Sequence, residues 1–277
     1  MRIALQLGYL GNRYHGFQIQ PLVPTIEGKL FKALEHLGII DNPKNAKYSA
    51  AGRTDRGVHA LGQVIAFNTD KPELTMPRIL NSKLPDDIWV WGRAEVSKAF
   101  DPRRKANSRE YRYLLYRGGL DISKMRIAST LLVGTHDFAN FSTRDAEKST
   151  KRTVKRIEIR ISDPFITLDI TADSFTWNMV RKIVTGLSMV GRGSRDLLWL
   201  RSMLKPDKYV DVLKSAPSFG LTLKKVNYNG IKFIEDEYAK KAAAKTLRDQ
   251  FIWHGTMAEV VRGMRDSMGH QNSDSLY

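Results

Sequence analysis

Residues 97–117 read "SKAFDPRRKANSREYRYLLYR". The first twelve are polar and basic, and the rest turn into a strand pattern in which Tyr111, Tyr113 and Leu115 share one face. The order of elements upstream of this stretch is repeated downstream of it. Upstream, "RIALQLGY" (2–9) alternates Ile3, Leu5, Leu7 and Tyr9 against Arg2, Ala4 and Gln6, which predicts a strand. Thr25 caps a helix running to Gly38 with Ile26, Leu30, Leu34 and Leu37 on one stripe. Short strands near Lys47–Ala51 and Gln63–Asn68, a helix from Met76 and a strand through "DIWVWGRAEV" complete βαββαβ. Downstream come strand 109–117, a helix from Asp121, strands "TVKRIEIRIS" and "FITLDITAD", a helix over about 176–190, further helical residues and strand "GLTLKKVNY".

The expected class is α+β, with two ferredoxin-like βαββαβ units. They form a mixed, mainly antiparallel sheet with helices on one side and a basic cleft between the units. The expected divisions are 1–100, 101–234 and a helical extension, 235–277. In that extension Leu247 and Phe251, then Met257, Val260, Val261, Met264 and Met268 fall at helical spacings, which suits core or subunit packing. The last residues, "GHQNSDSLY", read as a frayed end.

The chain has 277 residues, 45 basic and 29 acidic, a net charge of +16 and a pI near 9.9, which suits a polyanionic partner. It has no cysteine, so disulfides, thiolate catalysis and cysteine-ligated metals are excluded. His15, His59 and His136 lack metal-ligand spacing, and neither a metal nor a cofactor is expected. No stretch has the length of a signal peptide core or a membrane span, and a cytoplasmic protein without membrane association is expected.

One turn stands apart. "AAGRTDRGVHALGQV" (50–64) sets Asp55 between Arg53 and Arg56 in a glycine-punctuated loop between two strands. The ordinary use of such a turn is to satisfy local backbone donors. The chemical alternative is an ionised carboxylate, held so by nearby guanidinium groups, acting as a nucleophile; as a metal ligand it would lack oxygen partners.

These fifteen residues resemble the signature of the tRNA pseudouridine synthase A family, with the aspartate in register. "GYLGNRYHGFQIQP" (8–21), "LNSKLPDDIWV" (80–90), "NSREYRYLLY" (107–116), "GTHDFANFS" (134–142), "MVRKIV" (179–184) and "APSFGLTLKKVNY" (216–228) resemble further family segments in the same order. The resemblance runs from residue 3 to about 228, and the tail beyond carries no family motif. Arg56 stands where many bacterial members have a small residue.

The resemblance implies that Asp55 is the catalytic nucleophile and that the substrate is a uridine in the anticodon stem-loop region of tRNA. It further implies that Tyr111 packs against the target ring, that Arg181 pairs with Asp55, and that Arg53 helps to hold the base out of its stack. A homodimer is implied as well. The residues alone leave Tyr111 equally suited to a half-buried strand, and leave open attack by Asp55 at C6 or at C1′. The alternative from another class is a non-catalytic basic RNA-binding protein or RNA chaperone on the same fold.

Overall fold

The computed structural model describes residues 1–143 and 149–268. Its centre is one ten-stranded sheet. In chain order the elements are β1 (Arg2–Tyr9), α1 (Ile26–His36), β2 (Ser49–Ala50), β3 (His59–Asn68), α2 (Pro77–Asn81) and β4 (Ile88–Glu95). There follow β5 (Ala106–Tyr116), α3 (Ile122–Leu131), β6 (Gly134–Asp137), β7 (Lys151–Ser162), β8 (Phe165–Ala172), α4 (Met179–Gly191), α5 (Leu197–Met203), β9 (Leu221–Tyr228), β10 (Ile234–Glu235) and α6 (Glu237–Ser267). The strands lie in the order β10-β4-β1-β3-β9-β5-β8-β7-β6, with β2 paired to β3. The sheet is thus mixed and mainly antiparallel: β3 and β9 run parallel, and the other pairs are antiparallel.

Each half packs helices on the apolar face that strand alternation creates. Ile3, Leu5 and Leu7 of β1 bury against Ile26, Leu30 and Leu34 of α1. Thr25 Oγ1 accepts from the Gly28 N–H at 3.2 Å and starts that helix. In the second half Tyr113, Leu115, Leu168 and Ile170 bury against Met125 of α3 and Ile183, Val184 and Leu187 of α4. A buried Leu or Ile of this kind contributes roughly 1.5–3 kcal/mol. Tyr111 packs against both apolar clusters and so stands at the seam between the halves.

That seam is narrow. Its ladder pairs His59 with Thr222 and Ala60 with Leu223. Gly62 lies just beyond, where an added Cβ would come within 2.4 Å of the Lys224 carbonyl oxygen. Gly62→Ala is therefore expected to force the halves apart at a cost of about 1–3 kcal/mol. Urea unfolding should show the lower midpoint.

Several local expectations are corrected. All eight residues of β1 are buried, including Arg2, whose face was read as polar. The opposite face is covered because Phe100, from the basic connecting stretch, packs over Ala4, Ala66 and Ala94 with Tyr228 and Phe233 beside it. Arg2 is sustained there by donating to the Phe100 and Lys47 carbonyls, Asn68 Oδ1 and Ser49 Oγ at 2.7–3.1 Å. The strand after the Asp55 loop begins at His59, earlier than Gln63. The helix expected from residue 176 begins at Met179, because Asn178 is left-handed at φ 63° and cannot continue a helix backwards.

α6 begins at an Asp236 cap that accepts from the Ala239 N–H, and buries only Ala239 and Ala243 among its 31 residues. Its apolar stripe is exposed, with Phe251 78% and Met268 78% accessible, so within the chain it is not core. The stretch expected to fray, 269–277, lies outside the described residues. Among the described residues no helix is long and apolar enough to cross a membrane.

Candidate active site

The loop between β2 and β3 is fixed on several sides before any functional group is considered. The Ala51 N–H donates to the Val64 carbonyl at 2.8 Å, Gln63 Nε2 donates to the Gly52 carbonyl at 3.0 Å, and the Phe17 N–H donates to the Thr54 carbonyl at 3.0 Å. Buried Tyr9 shares a hydrogen bond with Thr54 Oγ1 at 2.8 Å. Gly11 brings the N-terminal loop so close that an added Cβ would stand 2.0 Å from the Val58 carbonyl oxygen. A turn anchored in this way holds its next side chain, Asp55, in one place, and leaves that side chain 32% accessible.

His59 ties three segments around the loop. The Gly11 N–H donates to Nδ1 at 3.1 Å, so the ring proton sits on Nε2, which donates to the Phe219 carbonyl at 3.1 Å. Burial lowers the pKa of His59 from its ordinary 6.5; the Phe219 carbonyl opposes this and His254 adds to it. The unfolded chain therefore binds the proton more readily. The contribution of His59 to stability is fully present above about 6.5 and is lost below it, as pH falls through the lowered folded-state pKa. A plot of unfolding free energy against pH should steepen on the acid side of 6.5 in the wild type, and His59→Gln should remove that part of the slope.

Asp55 meets its cation from far along the chain. Arg181 Nη1, on the first turn of α4, lies 3.4 Å from Asp55 Oδ2. The guanidinium is itself held: Nε donates to the Ala216 carbonyl and Nη1 to Asn178 Oδ1 at 3.0 Å. The left-handed Asn178 is what turns its own side chain toward both Arg181 and Thr143, to which Nδ2 donates at 2.9 Å. Arg53 and Arg56, the arginines adjacent in sequence, are exposed. Glu27 lies near enough to Arg53 to feel its charge. The structure thus brings Asp55, Arg181 and Tyr111 together and leaves Arg53 on the outer side of the loop.

Tyr111 lies edge-on to Phe175 with ring centroids 5.1 Å apart. Its hydroxyl is pushed up to about 12, chiefly by burial; Arg109 opposes the shift and the Asp55 carboxylate adds to it. Arg109 is a clamp across the seam: it donates to the Ala51 carbonyl of the first half at 3.1 Å, and to the Arg103 and Asp173 carbonyls. Burial lowers the Arg109 pKa, and these carbonyls are its compensation.

Sequence reasoning missed Phe175, Arg109 and, above all, Trp177, whose Nε1–H donates to Asp55 Oδ1 at 3.1 Å. Phe175 and Trp177 flank Thr176 in the irregular lead-in to α4, where Trp177 and Asn178 form a turn closed by the Met179 N–H donating to the Thr176 carbonyl at 3.2 Å. Among the described residues no group of three His, Asp or Glu side chains is placed to hold a metal ion. The arrangement is a positioned, partly exposed carboxylate paired with an arginine and an indole N–H, with the edge-on Tyr111–Phe175 pair nearby. Such a set can hold a planar ring against an anion.

Comparison with known proteins adds the lineage. Residues 128–229 match the family model described as tRNA pseudouridine synthase. A tRNA pseudouridine synthase A of Methanosarcina barkeri is 55% identical over 262 residues, which cover 94% of this chain and 97% of that one. Its counterpart in Methanococcoides burtonii is 50% identical over 277 residues, the whole of both chains. That of Archaeoglobus fulgidus is 42% identical over 96% of this chain and 98% of its own. Identity at this level across nearly the full length, with Asp55, Arg181 and Tyr111 gathered at one seam, means that the chain belongs to the tRNA pseudouridine synthase A family.

Proposed function

We propose that this protein isomerises uridine to pseudouridine in the anticodon stem-loop region of tRNA, with Asp55 as the nucleophile. The observation that carries the proposal is the Asp55 carboxylate itself, fixed by its loop, paired with Arg181 at 3.4 Å, partly open to solvent and near enough to Tyr111 to act on its hydroxyl. The reaction breaks the bond between ribose C1′ and N1 of uracil, turns the ring, and joins C1′ to C5. The proton on C5 is released, one is taken up at N1, and no atom is gained overall. Asp55 starts this by adding either to C6 of the ring or to C1′ of the ribose, and both routes need the same placement of carboxylate and base.

A uridine stacked in tRNA has to be extruded, at a cost of a few kcal/mol. Stacking on an aromatic platform returns roughly 1–3 kcal/mol per base. Tyr111 is suited to that role by its aromatic ring and its place at the seam near Asp55. Arg53, exposed on the outer side of the loop, is assigned to holding the RNA where the base leaves its stack. The net charge of +16 supplies phosphate contacts that position the tRNA without reading its sequence.

The finer architecture belongs to the same proposal. Each half is assigned as a ferredoxin-like unit, on the strand orders β4-β1-β3-β2 and β9-β5-β8-β7, with the basic cleft at the seam between them. The protein is assigned as a homodimer of the cytoplasm. The exposed stripe of α6, with Trp253, Met257, Val260 and Met264, is the face that supports the dimer. Sedimentation should give twice the chain mass, and Met257→Lys with Met264→Lys should halve it.

The activity is tested by incubating the protein with tRNA carrying tritium at C5 of its uridines. Tritium release at one or a few equivalents per tRNA is expected. Tight binding with no release would favour the RNA-binding or chaperone alternative.

A further inference from the structure

Both oxygens of Asp55 have partners within the chain. Oδ2 faces Arg181, and Oδ1 accepts from the Trp177 indole N–H at 3.1 Å. A lone pair held in a hydrogen bond is a weaker nucleophile, and an indole whose N–H meets a carboxylate oxygen occupies the approach to that oxygen. One of the two partners has to give way.

Their attachments differ. Arg181 is tied by Nε to the Ala216 carbonyl and by Nη1 to Asn178 Oδ1, and only 18% of its side chain is accessible. Among the described residues the Trp177 side chain has one hydrogen bond, to Asp55, and the residue is 59% exposed. Its backbone is fixed all the same: the Trp177 carbonyl accepts from the Thr143 N–H at 2.9 Å, and the next residue, Asn178, is locked in its left-handed conformation by bonds to Thr143 and Arg181. A large ring on a fixed backbone, with one bond to lose and little packing, can turn about its own side-chain torsions while the Asp55–Arg181 pair stays in place.

From this geometry we infer that Trp177 is a substrate-contacting residue of the site. Its indole N–H holds Oδ1. The extruded uracil displaces the indole and takes the space in front of Oδ1, which becomes the attacking oxygen. The released indole, an exposed aromatic face beside the entering strand, stacks on the RNA and offsets the hydrogen bond it gave up. The inference rests on the proposed isomerase activity. It adds a residue that none of the motifs points to.

The test uses full-length protein, C5-tritiated tRNA, and the Trp177→Phe and Trp177→Ala variants. The chain has five tryptophans, so the fluorescence lost in Trp177→Phe isolates the signal of this one. That signal should change on saturation with tRNA, as the indole leaves a carboxylate and meets a base. Trp177→Phe keeps a ring for stacking and should hold KM within about twofold. Trp177→Ala should raise KM by about tenfold, with kcat changed by less than about threefold. If both variants lost kcat equally with KM unchanged, or if the Trp177 signal were the same with and without tRNA, the indole would be a permanent donor to Asp55 and the displacement would be wrong. Wild-type protein that bound tRNA and released no tritium would overturn the isomerase proposal along with this one. Wild-type release with a static Trp177 signal would overturn this one alone.

Discussion

Asp55→Asn is expected to lower tritium release from C5-labelled tRNA by at least about 10⁴-fold, because an amide keeps the shape of the carboxylate and loses its nucleophilic charge. The loop that carries it should not move. Its anchors are backbone bonds at Ala51, Gly52 and Thr54 and the Tyr9–Thr54 contact, and none of them uses the Asp55 carboxylate. tRNA binding should therefore survive. Phosphate contacts set the dependence of affinity on salt, so the slope of log affinity against log salt should match that of the wild type. Filter binding at several salt concentrations beside the tritium assay separates the two effects. Full tritium release by Asp55→Asn would remove the nucleophile from the mechanism. A change in the salt slope would mean that the carboxylate shapes the RNA-binding surface.

The second large effect belongs to Arg181. Its guanidinium reaches the Ala216 carbonyl, Asn178 Oδ1 and Asp55 Oδ2 at once, which a planar fork can do and a single ammonium cannot. Arg181→Lys keeps the positive charge and loses this alignment. Turnover should fall by a factor on the order of 10², the usual penalty when a reacting group is misplaced by about 1 Å. The thermal midpoint should stay close to the wild-type value, since α4 is held chiefly by Ile183, Val184 and Leu187 in the core. Wild-type turnover in Arg181→Lys would show that charge alone suffices, and an unfolded variant would make the position structural.

The sequence carried the parts of this arrangement that depend on local pattern. Strand alternation placed β1, β4, β5, β7 and β8, and the Thr25 cap with its Ile26, Leu30, Leu34 stripe placed α1, because both signals are complete within ten or so residues. The family resemblance put Asp55, Tyr111 and Arg181 in register before their proximity was known. What was not legible depends on contacts distant in sequence. Arg2 looks like a solvent-facing residue until Phe100 closes over it. The two edge strands β6 and β10 are too short to show a period, and the parallel β3–β9 ladder joins residues 163 apart in the chain (59 with 222 and 60 with 223) through two register pairs. Asn178 resembles any polar residue at a helix entrance; only its backbone shows why the helix starts late and why Arg181 faces Asp55. For α6 the apolar period was clear, but periodicity states only that a stripe exists, not whether its partner lies in the same chain.

The most direct test of the whole account is a nucleotide-resolution map of pseudouridine in tRNA from cells with and without this protein. The account predicts that pseudouridines of the anticodon stem-loop region disappear in its absence, return when the wild-type chain is supplied, and stay absent when Asp55→Asn is supplied. An unchanged map in cells lacking the protein, or a full return of the modifications with Asp55→Asn, would contradict it.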